Sequence, residues 1–210
     1  MATRQIIKPF PEDEDRDAFG HWLSGFTDGE GCFSLHSSLR NGKRKTKYGQ
    51  KHAVFIIQLR IDDSHILDLI QSFLGCGIRD NFPQRNLSNP SAAFRVHNSH
   101  DLLNTVIPNF MKYPLRAKKR RDFEIWKKGV ELIYRISQRK RRRRRYKSGG
   151  FLSRWTDDES REFATLISAL RDQRKIDSYP ETSKFIDEVN STVAITNNPI
   201  ETQHVLNIFE

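Results

Sequence analysis

Residues 32–40 alternate between apolar and polar side chains, which is the pattern of a strand with one buried face. Phe33, Leu35 and Leu39 share the apolar parity. The other parity holds small or hydrogen-bonding side chains and ends in a cation: Ser34, His36, Ser38 and Arg40. A second strand is predicted over residues 51–61, which are rich in β-branched and aromatic residues. The pair Asn41-Gly42 between them is a strong hairpin signal.

The same pattern continues further along the chain. Strands are predicted over residues 78–82 and 92–98, and apolar residues at helical spacing fill the segments between the strand pairs. Side chains suited to helix capping start three of these helices, at 62–64, 99–101 and 156–159, and a long helix is predicted to run to about Ile136. The order helix, two strands, helix, two strands, helix indicates an α+β domain.

Residues 18–33 combine three unusual features. Gly25 and Gly29 lie four apart with Ser24 beside them, so one helix face carries almost no side chains and lets a second helix approach closely. Asp28 and Glu30 fall where this helix ends, although carboxylates there oppose the helix dipole. A divalent cation such as Mg²⁺ explains such carboxylates. The alternative is a helix end and turn with solvated acids.

Charge is concentrated in one segment of the chain. The net charge is +10, and residues 112–147 alone hold 17 Lys and Arg against 3 Asp and Glu, or +14. A polyanion, most simply nucleic acid, is the expected partner. A membrane-surface segment would need an apolar helix face, which residues 139–147 lack. No apolar run reaches the roughly 20 residues of a membrane span, and no signal-peptide core is seen. Two cysteines indicate a reducing, intracellular compartment.

The run Leu23-Ser24-Gly25-Phe26-Thr27-Asp28-Gly29-Glu30-Gly31 resembles the LAGLIDADG motif of homing endonucleases. The resemblance implies an αββαββα half-domain with a saddle-shaped antiparallel DNA-binding sheet. It also implies that Glu30, helped by the Gly29 carbonyl, binds catalytic Mg²⁺, for which Mn²⁺ substitutes. Asp28 is a secondary catalytic candidate, with helix capping as its structural alternative. By the same resemblance, Gln58 belongs near the metals, whereas Ile61 falls where a polar side chain is common.

A single copy of the motif is present, so the resemblance implies a homodimer in which the motif helices pack at the two-fold axis. The expected interface residues are Leu23, Ser24, Gly25, Phe26 and Gly29. A DNA-facing strand of about nine residues spans about 30 Å, or on the order of nine base pairs per subunit. The expected target is therefore a long, nearly palindromic site.

Residues 109–126 resemble a second family segment, Tyr-Pro-Leu-x-x-Lys-Lys-x-x-Asp-Phe, in which a lysine lies near the scissile phosphate. The resemblance favours Lys112, then Lys118 or Lys119, with plain phosphate binding as the alternative. DNA contacts are expected from polar residues of the strands, hairpin and loops, with an ordinary solvated face as the alternative. They are Ser34, His36, Ser38, Arg40, Lys43, Arg44, Lys45, Lys47, His52, Gln58, Arg60, Arg79, Asn81, Arg85, Lys118 and Lys119.

The predicted organisation is an irregular leader at 1–17, the endonuclease domain at 18–136, a basic linker at 137–150 and a C-terminal helix with an extension at 151–210. The predicted function is site-specific, metal-dependent cleavage of double-stranded DNA. Two alternatives stay open on the same fold: an intron maturase that binds intron RNA, and a regulator that binds DNA without cutting it. The expected location is an organelle (chloroplast or mitochondrion) or the bacterial cytoplasm, with no membrane partner.

Overall fold

The computed structural model describes residues 6–38, 50–84, 89–139 and 155–175. The chain divides into two units, Met1–Leu170 and Arg171–Glu210; of the second unit, the structure describes residues 171–175. Apart from residues 171 and 172, which end the last helix, all that follows concerns the first unit. Within the described residues, no helix is both long and apolar enough to cross a membrane.

The first half of the domain is a helix, a hairpin and a second helix. Its elements are α1 (Arg16–Glu30), β1 (Gly31–Ser38), β2 (Gln50–Arg60), a 3₁₀ turn (Ile61–Asp63) and α2 (Ser64–Leu74). Helix α1 starts two residues before the predicted boundary, because the carboxylate of Asp15 accepts hydrogen bonds from the N–H groups of Asp17 and Ala18. Helix α2 ends at Gly75, whose φ of 66° is the left-handed conformation that glycine adopts without strain.

The second half repeats the pattern. Its elements are β3 (Ile78–Phe82), β4 (Ser91–Val96), α3 (Ser99–Asp101), a π-helical segment (Leu102–Val106), α4 (Ile107–Lys112) and α5 (Lys119–Ser137). The predicted order of helices and strands is confirmed. A further helix, α6 (Asp157–Asp172), begins as predicted at Thr156, whose hydroxyl accepts from the Glu159 N–H while the Glu159 carboxylate accepts from the Thr156 N–H.

The four strands form one antiparallel sheet in the order β1-β2-β4-β3. Cys32 pairs with Ile56, Ile56 pairs with Arg95 across the next interface, and Arg95 pairs with Ile78 on the edge strand. These four side chains therefore form a row across one face of the sheet. The helices cover the opposite face.

The core lies between the sheet and the helices. Phe33 and Phe55 project from the first two strands, and their rings contact Phe110 of α4; Phe33 also contacts Trp126 of α5. All four side chains are at most 2% exposed. The predicted division of β1 into a core parity and an open parity is confirmed for Phe33 and Leu35. Both cysteines are free, and burial raises the pKa of the Cys76 thiol to about 12, which makes it unreactive.

Candidate functional site

Glu30 is the last residue of α1 and is exposed, and β1 begins at the next residue. Its carboxylate makes no hydrogen bond or ion pair with any residue that the structure describes. A carboxylate at the end of a helix gains nothing from the helix dipole. It is therefore available to a cation or to another ligand from outside the described chain.

Asp28 has a different environment, although it is two residues away. Its Oδ2 accepts hydrogen bonds from the backbone N–H groups of Arg116, at 2.8 Å, and Ala117, at 3.0 Å. These bonds hold the segment before α5 against the end of α1. Asp28 thus fixes the position of this segment, which is the structural alternative to its predicted catalytic role.

Lys119 lies beside Glu30 because of that anchoring. Its Nζ donates hydrogen bonds of 2.9 Å to the carbonyl oxygens of Asp28 and Gly29, at the C-terminal end of α1. A cation there satisfies carbonyls that have no partner within the helix and compensates the negative end of the helix dipole. The Gly29 carbonyl, a predicted metal ligand, therefore already has one donor, and a second lone pair remains.

Lys112 is far from this group. Its Nζ lies 2.7 Å from the carboxylate of Asp17, in the first turn of α1. Asp17 precedes Glu30 by 13 residues, which is about 20 Å along a helix axis at 1.5 Å per residue. The hydrogen bond between them lowers the pKa of Asp17 and raises that of Lys112. The structure therefore brings Lys119, and not Lys112, to the end of α1 that carries Glu30.

Gln58 lies close to Glu30 in the sheet register. Ile57 pairs with Gly31, so Gln58 stands opposite the point where α1 joins β1. It is exposed, and its Nε2 donates to the Ser91 hydroxyl at 3.1 Å. Three residues on, Ile61 is 37% exposed in the 3₁₀ turn. Arg60, between them, pairs with Asp62 at 2.9 Å.

The open face of the sheet forms a concavity of about 690 Å³. Ser34, His36 and His52, three of the predicted DNA contacts, line it. The rings of His36 and His52 are 5.6 Å apart. Partial burial, and secondarily the nearby His36 and His97, lower the pKa of His52. The full lining is Cys32, Ser34, His36, His52, Val54, Ile56, Ile78, Asp80, Arg95 and His97.

Two predicted DNA contacts lie on the wrong face. Arg79 pairs with Phe94, a core residue, and its guanidinium binds Asp68 of α2 at 2.8 Å on the helix-covered side. Asn81 shares the parity of Arg79. Strand β3 instead exposes the apolar Ile78 on the open face, because the guanidinium of Arg79 pairs with the carboxylate of Asp68 on α2. The open face therefore receives Asp80 and Arg95, which form an ion pair.

Two of the α1 residues that were predicted to form the dimer interface are buried within this chain. Leu23 is fully buried in this chain's own core, and Ser24 is 4% exposed with its hydroxyl donating to the Tyr113 carbonyl at 2.5 Å. The prediction that these two residues form a dimer interface was wrong. Gly25 and Gly29 are exposed, and a Cβ at either position would meet nothing within 4 Å. The predicted Phe26 is half-buried beside them.

The family model described as LAGLIDADG endonuclease matches residues 23–130, which include α1 from Leu23, the whole sheet and the first part of α5. The chain belongs to the LAGLIDADG endonuclease family. The predicted resemblance and fold class are thereby confirmed.

Relatives of this LAGLIDADG chain carry related names. It is 31% identical over 117 residues to the "Probable intron-encoded endonuclease Cox1-I1b" of Schizosaccharomyces pombe, covering 55% of this chain and 28% of the relative. It is also 31% identical over 114 residues to the "Uncharacterized 50.9 kDa protein in ND4 intron 1" of Podospora anserina, covering 53% and 24%. The chain thus spans about a quarter of the length of these relatives.

Solved structures show the same fold. The LAGLIDADG homing endonuclease I-GzeII in complex with its DNA target aligns with a TM-score of 0.56 at 21% identity, covering 83% of this chain and 49% of that one. I-SmaMI bound to uncleaved DNA in the presence of calcium ions aligns with a TM-score of 0.58 at 21% identity, covering 78% and 49%. The chain spans about half the length of these neighbours.

The donors around Glu30 agree with a Mg²⁺ ion that is shared with a ligand. Within the described residues, no three His, Cys, Asp or Glu side chains cluster in a way that could hold a metal. Glu30 therefore offers one carboxylate, with the Gly29 carbonyl next to it. Mg²⁺ in proteins is usually held by one or two carboxylates together with waters and phosphate oxygens. Glu30 provides one carboxylate of such a site, and phosphate oxygens and waters would complete it.

Some residues of the open face and of α1 were not predicted as site residues. His97, Asp80 and Arg95 line the open face and were missed, because their parity depends on how β3 and β4 register with β2. Trp22 was also missed, although its spacing of four from Phe26 on α1 was a usable signal; the two rings stack at 4.8 Å.

Lys118 is exposed at the start of α5. For Ser38 the structure describes the backbone alone. Predicted contacts at Arg40, Lys43, Arg44, Lys45, Lys47 and Arg85 lie outside the described residues, as do residues 140–154 and 176–210.

Proposed function

We propose that this chain is one half of a site-specific endonuclease that cuts both strands of duplex DNA. The observation that carries the proposal is the position of Glu30. It is an exposed, unpaired carboxylate within the described residues, beside Lys119 at the edge of an open sheet face. The relatives named as intron-encoded endonucleases, and the DNA complexes among the structural neighbours, support this function.

Each residue has a distinct part in the proposed reaction. Glu30 would hold Mg²⁺ together with a phosphate of the DNA, and the ion would supply activation of water and stabilisation of charge on the leaving oxygen. Lys119 would hold its cationic Nζ close to the phosphate and give a proton to the leaving oxygen as its bond to phosphorus breaks. Gln58 would orient groups at the same edge of the sheet. Mn²⁺ is expected to substitute, because it accepts the same oxygen ligands.

The open face of the sheet is proposed to bind the major groove, which admits a two-stranded β-ribbon. His36, His52 and Arg95 supply hydrogen-bond donors along it. Arg60 and Lys118 lie on exposed ends of elements, where phosphate contacts fix register without reading sequence. The hairpin cations between β1 and β2 are proposed to contact phosphates as well.

The second half of the enzyme is proposed to be another copy of this chain. Trp22, Gly25, Phe26 and Gly29 recur at the i, i+3, i+4 and i+7 positions of α1 and give it one continuous face. Packing this face against its symmetry mate brings two Glu30 carboxylates together at the axis, as a two-strand cleavage requires. The homodimer would act on a nearly palindromic site.

The decisive experiment is incubation of the purified protein with a randomised duplex DNA library, in Mg²⁺ and in EDTA, followed by sequencing of any cut ends. Metal-dependent cutting at one long, roughly symmetric site would support the proposal. Tight DNA binding without cutting in Mg²⁺ or Mn²⁺ would favour the non-cleaving regulator. Preferential competition by structured intron RNA would favour the maturase.

A further inference from the structure

Part of the open sheet face is apolar, which is unusual for a surface that meets a polyanion. Three side chains make up this apolar strip, Cys32 of β1 with Val54 and Ile56 of β2, and a fourth apolar side chain, Ile78 of the edge strand β3, lies on the other side of Arg95. Ile78 is 39% exposed. The strip lies on the face opposite the core, so nothing in the described part of the chain covers it.

The sheet register fixes the dimensions of the strip. Cys32 and Ile56 pair directly, so their strands lie about 4.8 Å apart. Val54 is two residues from Ile56 on the same parity, or about 7 Å along the strand. At about 3.4 Å per base pair, this length matches two or three stacked base pairs in the major groove.

Polar residues lie on two sides of the strip. On the β4 side, the guanidinium of Arg95 is paired with Asp80 and lies over the ring of Phe82, 5.5 Å from its centroid. His36, His52 and His97 are grouped at the other end of the concavity. Polar groups therefore flank the strip, as expected for a surface that contacts apolar base edges between polar ones.

The major groove presents one apolar group, the C5-methyl of a pyrimidine. Thymine carries it, and 5-methylcytosine carries it at the same position. We propose that the apolar strip of this chain selects DNA with C5-methyl groups at two or three adjacent positions of each half-site. This inference rests on the proposed DNA-binding function and adds the kind of base that the centre of the sheet prefers.

The test compares bases that differ by the methyl group alone. Sites bound by the protein in EDTA are selected from a randomised duplex library, and each thymine of the selected site is then replaced by deoxyuridine. Uracil keeps the hydrogen-bonding pattern of thymine and lacks the C5-methyl. We expect about a fourfold loss of affinity for each methyl removed under the strip, as burial of a CH₂-sized group implies, and no loss elsewhere in the site.

Variants connect the effect to the strip. Ile56→Ser should bind the thymine and uracil sites equally, and Val54→Thr, which keeps the side-chain shape, should reduce the difference. Met111→Ser removes an exposed apolar side chain on α4, outside the strip, and should retain the full difference. At positions where the selected site has cytosine, 5-methylcytosine tests the second source of the same group.

The outcomes separate the two claims. Binding of a defined site with no sensitivity to uracil at any position would overturn the methyl preference and leave the DNA-binding function intact. Failure to enrich any duplex would overturn both. Uracil sensitivity that persists unchanged in both Ile56→Ser and Val54→Thr would assign the methyl contact to another part of the protein and overturn the role of the strip.

Discussion

The Nζ of Lys119 donates a 2.9 Å hydrogen bond to the carbonyl oxygen of Gly29, the residue before Glu30. This contact joins the N-terminal turn of α5 to the C-terminal end of the motif helix. It places the cation beside the exposed carboxylate by way of the backbone, without neutralising that carboxylate in an ion pair. A lysine and a carboxylate held close together but unpaired are available to a phosphate and a metal at the same time.

Lys119→Met is therefore expected to reduce DNA cleavage on the order of 10²-fold, the scale for losing a positioned proton donor, while binding is largely retained. Single-turnover cleavage and equilibrium binding measure the two effects separately. Lys112→Met is the matched control, because Lys112 pairs with Asp17 at the far end of α1. Cleavage that depends on Lys112 and not on Lys119 would contradict this assignment.

Asp28→Ala is expected to lower the free energy of unfolding, because Asp28 has a structural role. The substitution leaves the N–H groups of Arg116 and Ala117 without their shared acceptor. Loss of charge-assisted hydrogen bonds of this kind costs about 1–3 kcal/mol of unfolding free energy, which urea denaturation would measure. If Asp28→Ala has unchanged stability but no longer cleaves DNA, Asp28 is a catalytic residue and the structural assignment is wrong.

The order of helices and strands could be predicted because each local pattern agreed with the fold. Phe33 and Leu35 alternate with Ser34 and His36. This alternation allows only one orientation of the strand, because its apolar side chains must face the core. The position of Glu30 at the end of a helix could be predicted, because the pattern of that helix can be recognised in the sequence. These inferences use neighbours along the chain, within about one turn or one strand.

The errors concern contacts between distant residues. Arg79 and Asn81 of β3 were predicted to contact DNA. Arg79 instead faces the helices, because Asp68 of α2 binds the arginine on that side of the sheet. Likewise, the choice between Lys112 and Lys119 depends on how Asp28 anchors the segment before α5. Neither contact has a periodic signal, so both require the folded chain.

Substitutions at two glycines of α1 test separately the packing within one subunit and the packing between two subunits. A Cβ at Gly20 would clash with the ring of Tyr113, which is 6% exposed. Gly20→Ala should therefore lower the unfolding free energy by roughly 1–3 kcal/mol, as overpacking does. Denaturation with urea measures the change.

Gly25→Ala is the counterpart, because a Cβ there meets nothing within this chain. It should leave the folded subunit intact and weaken self-association about tenfold or more, since a methyl group separates closely packed helices. Sedimentation at several concentrations would report it. Unchanged self-association in Gly25→Ala would exclude this face of α1 from the interface.

The pH dependence of stability should carry a contribution from His52. Burial, with smaller effects of His36 and His97, lowers its pKa in the folded state below the value of about 6.5 expected when unfolded. As the pH falls below about 6.5, the unfolded chain takes up the proton first, so stability decreases. Arg95 and Asp80 share the same face but form an ion pair with each other.

His52→Gln removes this titration. Wild type should lose more unfolding free energy than His52→Gln between pH 7 and pH 5, measured by denaturation in parallel. Identical pH profiles for the two proteins would show that His52 titrates freely, against the environment seen on the open face.

The most direct test of the central claim is cleavage of the selected DNA site by Glu30→Gln, compared with wild type in Mg²⁺. Glutamine keeps the size of the side chain and removes the charge that a metal requires, so binding in EDTA should be unchanged and cleavage should be abolished. Cleavage by Glu30→Gln at the wild-type rate would contradict the account, because the exposed carboxylate at the end of α1 would then have no part in the reaction.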